Sequence, residues 1–153
     1  MSIYERFIDS GATPTIMDIN KATLKNNNYR TTLWTGNHLQ VTVMSIPAGE
    51  DIGLEVHHDH DQFLRIEAGQ GIAQMGNTQT NLYIHQPVFD DSAVFVPAGT
   101  WHNVTNTGNE PLKLYSIYAP AEHALGTVHE TKEIAMASEH LADTSTSHRY
   151  WSY

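Results

Sequence analysis

Glu55, His57 and Gln62 lie within one short stretch of the chain, and a further side chain of the same chemical kind, His102, lies well downstream. Together these types supply a carboxylate oxygen, an amide oxygen and two imidazole nitrogens, donors suited to a divalent cation that polarises an oxygenated ligand. Side chains alternate faces along an extended chain, so Glu55 and His57 share one face. Gln62, Leu64 and Ile66 share a face of the next extended segment, and His102, Val104 and Asn106 share a face of a third. If all these faces point into a barrel whose other inward positions are apolar, the four donors converge in a dry cup. Burying Glu55 there costs several kcal/mol unless a cation or strong donors compensate. The chain has no cysteine, so thiolate ligation is excluded. Oxygen and imidazole donors favour Mn, Fe, Co, Ni or Zn over Ca or Cu(I).

The elements that would position these residues are short strands. Leu39, Val41 and Val43 alternate with Gln40, Thr42 and Met44, the pattern of a half-buried strand, and Pro47 to Asp51 supply turn chemistry. Further strands are expected near 53–57, 62–67, 71–75, 80–84, 93–96, 102–106 and 111–118, separated by Gly, Pro, Asn and Asp clusters. Many short strands at even spacing predict an all-β sandwich or barrel of the jelly-roll class. Before the barrel, a helix is expected around Ile19 to Lys25 and an edge strand near Thr13 to Met17. After it, a helix is expected from Thr131 to Ala142, followed by a loose tail from Asp143 to Tyr153.

The intervals carry a family resemblance. Five residues separate Gly49 from Glu55, one separates Glu55 from His57, four separate His57 from Gln62, and six separate Gln62 from Gly69. Asp91, Pro97, Gly99, His102 and Asn106 form a second spaced set. These are the intervals of the two cupin motifs, and the chain resembles a small single-domain cupin, closest in kind to proteins labelled mannose-6-phosphate-isomerase-like. The resemblance covers roughly residues 38 to 118. It implies a cupin jelly-roll β-barrel, or double-stranded β-helix, with short flanking helices. The whole chain would be one domain, with its barrel core at about 30–120, an N-terminal arm at 1–29 and a C-terminal helix and tail at 131–153. It also implies that Glu55, His57, Gln62 and His102 ligate a divalent transition metal, Mn, Fe, Zn or Ni. The chain departs from the motifs at three positions. Glu55 stands where the first histidine is usual, Gln62 where a glutamate is usual, and Asp91 where a glycine opens the second motif. Because an amide cannot titrate, mechanisms that need a carboxylate at position 62 are disfavoured.

The wider composition sets further bounds. The length of 153 residues suits one domain that buries about 70% of its unfolded surface, and 40% hydrophobic content supplies a core. A net charge of −9, from 8 Lys and Arg against 17 Asp and Glu, leaves no basic face for nucleic acid. No stretch reads as a signal peptide or a membrane span, so a cytoplasmic protein is expected. The segment from His123 to His129 follows the last strand and would start near the barrel mouth, where Tyr115 and Tyr118 add donors. His129 is the candidate acid or base. His58 and His60 fall in a polar turn and read as surface residues, Arg65 points away from the cup, and Trp101 reads as packing. No Arg or Lys is expected in the cup, which disfavours phosphosugars as substrates. The resulting function is isomerase-type or dioxygenase-type chemistry on a small oxygenated metabolite at a divalent metal. The alternative is a non-catalytic module that binds a small molecule or sugar. A homodimer is expected, because a lone barrel leaves an edge strand and an apolar sheet face to cover.

Overall fold

Alternating burial along the strands shows how the chain closes on itself. The computed structural model describes residues 8–145, with side chains described through Glu139. The elements run α1 (Ile19–Lys25), β1 (Arg30–Thr35), β2 (Gln40–Ile46), β3 (Asp61–Ala68), β4 (Gln70–Gly76), β5 (Ile84–Phe89), β6 (Ala93–Val96), β7 (Trp101–Asn106), β8 (Leu112–Ala119), β9 (Val128–His129) and α2 (Lys132–Ser145). One sheet has the order β6-β3-β8-β2-β1-β9 and the other the order β5-β4-β7. Their facing sides enclose a single core to which Met44, Ile46, Leu64, Ile66, Leu112 and Leu114 contribute from the larger sheet and Ala73, Val88 and Val104 from the smaller. This is the expected jelly-roll barrel.

The register sorts the larger sheet's inward face into rows. Gln40, Tyr118 and Gln62 stand opposite one another, followed by Thr32, Thr42, Ser116 and Leu64, and then by Arg30, Met44, Leu114 and Ile66. The first two rows are mostly polar, and the third is apolar apart from Arg30. The expectation of apolar inward positions around the donors is corrected here: buried Gln40, Thr42, Ser116 and Tyr118 surround them. The apolar face of β2 turns outward instead, where Val41 and Val43 pack with Leu33, Tyr115 and Ala22 of α1. That helix starts at an Asp18 cap, whose carboxylate accepts from Lys21 N at 2.9 Å.

Several expected elements shift. Residues 13–17 form no strand, and their part of the arm is tied instead by the Trp34 indole N–H, which donates to the Thr13 carbonyl at 2.8 Å. The strand expected at 80–84 lies at Ile84–Phe89, because Thr78 and Asn81 close a turn first. Pro87 is tolerated in β5 because that strand is an edge and owes no bond on its outer side. The segment 53–57 is not a regular strand. Gly53, at φ 90°, interrupts it, leaving isolated bridges from Asp51 to Thr105 and from Glu55 to His102. The C-terminal helix forms, with Ala135 fully buried, and runs to Ser145, three residues beyond the expected end. Residues 146–153 of the expected tail lie outside the described part.

Candidate metal centre

The segment before β3 is docked on β7 by backbone bonds. Ile52 N donates to Val104 O at 3.1 Å, Glu55 N to His102 O at 3.0 Å, His102 N back to Glu55 O at 2.9 Å, and Gly99 N to His57 O at 2.8 Å. Because Glu55 and His102 lie directly opposite, their side chains emerge on one face. Glu55 Oε1 is 3.3 Å from His57 Nε2 and 3.3 Å from His102 Nε2. The ligand atoms of Glu55, His57 and His102 lie within 4.8 Å of one another, an arrangement able to hold a divalent ion. Gln62 is buried on the inward face of β3, where its amide N–H donates to Ser116 Oγ at 3.3 Å.

The His102 proton can be placed by elimination. His102 Nδ1 is 3.0 Å from the Thr100 carbonyl, which can only accept, so Nδ1 carries the hydrogen and Nε2 presents its lone pair to Glu55. His57 stands between two carboxylates, with Nδ1 3.6 Å from Glu122 and Nε2 3.3 Å from Glu55. His57 Nε2, His102 Nε2 and Gln62 Oε1 are buried without a hydrogen-bond partner. Two buried imidazole nitrogens thus face the Glu55 carboxylate without a hydrogen-bond partner, and Gln62 Oε1 is buried and unpartnered on the inward face of β3, a combination that calls for a cation or a proton. The residues fit a metal on this test. Burial opposes ionisation of Glu55, but the contacts with His102 and His57 outweigh it and hold the carboxyl well below its usual range. Burial likewise opposes protonation of His57, yet Glu55 and then Glu122 hold its pKa above the ordinary value.

A second group of residues was not apparent in the sequence. His60 turns inward, and its Nε2 makes a close contact with Glu122, so the reading of His60 as a surface residue is corrected. His58 is exposed as expected. His57, His60 and Glu122 also present ligand-type atoms within 4.8 Å of one another. Glu122 is held in place by Gln40, whose amide oxygen accepts from Glu122 N at 3.1 Å and His123 N at 2.9 Å. No motif spacing marks Glu122, which reaches the site only through this long-range anchoring. Tyr118 forms the wall, edge-on to His57, His60 and His123 at centroid distances of 5.8, 6.4 and 5.3 Å. Tyr115 faces outward against Phe63, away from the cup. Arg65 points away from the cup as expected, half-buried and paired with Glu67 and Asp91.

The expectation that no Arg or Lys enters the cup is also corrected. Arg30 is 3% exposed, on the inward face of β1, and its Nη1 lies 3.2 Å from His129 Nδ1. The run Thr31-Thr32-Leu33-Trp34-Thr35 was a legible strand signal, but an arginine at its start reads as solvent-facing by default. An arginine donates only, so His129 Nδ1 accepts and Nε2 bears the hydrogen. Burial and the Arg30 charge hold the His129 pKa below its ordinary value. His123 is held further below, by burial first and then by Arg30.

A jelly-roll barrel with a His and Glu cluster defines the cupin class. The chain belongs to this family: the cupin domain matches residues 42–118. YrkC of Bacillus subtilis is 62% identical over 131 residues, covering 86% of this chain and 70% of that protein. The crystal structure of BH2720 from Bacillus halodurans is 62% identical and superposes with a TM-score of 0.84, covering 85% of this chain and 98% of that one. A Klebsiella pneumoniae protein with a double-stranded β-helix domain shares the fold at 20% identity and a TM-score of 0.59, over 78% of this chain and 100% of its own. The motif also explains its own substitution. Asp91, at the glycine position, has φ 74°, a left-handed conformation that aspartate tolerates better than most residues.

Proposed function

We propose that this cupin is a metal-dependent enzyme acting on a small oxygenated metabolite, with Glu55, His57, Gln62 and His102 as ligands of a divalent Mn, Fe, Zn or Ni ion. One observation carries the reading: His57 Nε2, His102 Nε2 and Gln62 Oε1 are buried and unpartnered, and Glu55 Oε1 lies 3.3 Å from both nitrogens. The ion would supply Lewis acidity, or a platform for oxygen chemistry, at its remaining positions. The chain's own groups supply orientation and protons. Thr100 fixes the tautomer of His102, and Glu122 faces His57 Nδ1 from behind, as partners of metal-bound histidines do. In the acid–base role proposed for His129, Nδ1 is occupied by Arg30, so the neutral ring contributes a hydrogen bond from Nε2–H, and it gains a transferable proton only when a ligand draws Arg30 away from Nδ1. Isomerase-type and dioxygenase-type reactions both draw on this set.

The test is reconstitution of the metal-free protein with Mn, Fe, Ni or Zn, followed by assay on a panel of ketoses, diketones and enols. Turnover is expected that is lost in the Glu55→Ala, His57→Ala double variant. Tight metabolite binding with the ligand recovered unchanged would instead make the domain a binding module. The same reading places the protein in the cytoplasm as a homodimer with a small-molecule ligand.

A further inference from the structure

We propose that Arg30 makes the barrel interior a carboxylate site, which takes a small organic acid with its carboxylate on the guanidinium and a second oxygen function toward Glu55, His57 and His102. This names a substrate class for the proposed metal centre and rests on that reading only for the second oxygen.

Arg30 is a buried cation without a counter-ion. Its contacts are Nη1 to His129 Nδ1 at 3.2 Å and the Tyr29 ring, whose centroid is 5.2 Å from Cζ, and its buried Nε has no partner. Among the described residues no carboxylate lies within ion-pair distance of it. The contrast is Arg65, a half-buried arginine that pairs with two carboxylates. A buried guanidinium costs several kcal/mol unless it is paired, so a fold that keeps one in this state has a reason to. The carboxylates whose fields reach Arg30 are otherwise engaged or disfavoured. Glu55 faces His57 and His102, and Glu139 is held toward its neutral form by burial. A line of contacts joins Arg30 to the proposed metal centre: His129, 3.2 Å from the guanidinium, has its ring 6.4 Å from that of His123, which lies 5.3 Å from Tyr118, itself 5.8 Å from His57.

Donors for an anion accompany the guanidinium. Arg30 Nε and Thr42 Oγ1 are buried without partners, and His123 Nε2 is a further buried, unpartnered atom, whereas His57 Nε2, His102 Nε2 and Gln62 Oε1 are left for the cation. A guanidinium matches the two oxygens of a carboxylate with parallel donors. A phosphate dianion would set both its charges at the guanidinium end, and Lys113, Lys132 and Arg65, which could share them, are bound elsewhere, to Asn26 and Asn27, to Asp51, and to Glu67 and Asp91 respectively. An acid with one charge at each end balances the site, because a divalent ion held by Glu55 keeps one positive charge and Arg30 supplies the other.

The experiment is calorimetric titration of malonate, and of its neutral analogue malonamide, into Mn-loaded and metal-free protein. Wild type, Arg30→Lys and Arg30→Met are compared, with bound Mn measured in each. Malonate is expected to bind wild type at least about tenfold more tightly than malonamide does, and Arg30→Met about tenfold or more weakly, with Arg30→Lys between. On metal-free wild type the analogue pair poses the same question without any substitution, so a variant that fails to fold does not remove the test. Mn bound while malonate and malonamide bind alike, or malonate binding unchanged in Arg30→Met, overturns the carboxylate site and leaves the metal centre standing. Arg30-dependent malonate binding by protein that takes up no metal overturns the metal centre and leaves the carboxylate site standing. No malonate binding in any state overturns the carboxylate site.

Discussion

Glu55 and His102 exchange two backbone hydrogen bonds, of 3.0 and 2.9 Å, and this bridge brings Glu55 Oε1 to 3.3 Å from His102 Nε2. The contact is set by sheet register, so it persists whether or not an ion occupies it. Side-chain truncation should then remove donor atoms without moving the backbone that carries them.

His57→Ala and His102→Ala should each empty the metal site, since imidazole nitrogens are the least replaceable donors in this set. Glu122→Gln, which leaves the donors intact and weakens only the orientation of His57, should cost about ten- to a hundredfold in affinity. Wild type should also release metal in mild acid, because protons compete with the ion for imidazole nitrogens. Elemental analysis after dialysis reads all three. An unchanged metal-to-protein ratio in His57→Ala, or occupancy flat from about pH 8 to pH 4, would rule out an imidazole-based site.

Gln62→Glu adds a second carboxylate beside Glu55. Metal affinity should rise by about tenfold or more, since another anion faces the ion at short range. Turnover that depends on electrophilicity should fall, because bound water becomes less acidic. Weaker metal binding in this variant would remove Gln62 from the ligand set and leave Glu55, His57 and His102.

His123 should make the metal-free protein sensitive to acid. Burial first, and then the Arg30 charge, hold its pKa well below the ordinary value, so the unfolded chain takes up a proton near pH 6.5 that the fold refuses. Stability is therefore lost as pH falls below about 6.5, by up to about 1.4 kcal/mol per unit from this group. His57, with its raised pKa, has the opposite sign: its contribution is complete below about pH 6.5 and disappears as pH rises through the folded value. Comparison with His123→Phe isolates the first effect. In denaturant titrations with chelator, the stability of wild type relative to the variant should decline from about pH 7.5 to pH 5.5; a difference independent of pH would show that His123 titrates normally.

The outer face of the larger sheet should hold the dimer together. Phe95 is 69% exposed, its ring centroid lies 5.0 Å from that of Phe63, and both line a 310 Å³ hollow with Ile117. A contiguous apolar surface of this kind is unusual on a monomer. Light scattering should give twice the 17.1 kDa chain mass for wild type, and a value nearer one chain for Phe95→Asp. A wild-type mass of one chain at micromolar concentration would defeat the dimer.

Local signals in the sequence were enough to determine the barrel and the candidate donor set. Period-two alternation marks β2, the intervals from Gly49 to Gly69 and from Asp91 to Asn106 mark the turns, and the same spacing selected Glu55, His57, Gln62 and His102. Such features survive as sequence because each depends on neighbours a few residues away. The composition of the cup was decided by tertiary structure. The alternation of β2 reads equally well with either face inward, and only the docking of α1 on Val41 and Val43 turns Gln40 and Thr42 toward the donors. Glu122 arrives through the hold of Gln40 on its backbone, across 82 positions, and Arg30 meets His129 across 99. A buried, unpaired arginine is disfavoured by every local propensity, so only closure of β1 between β2 and β9 could place it there.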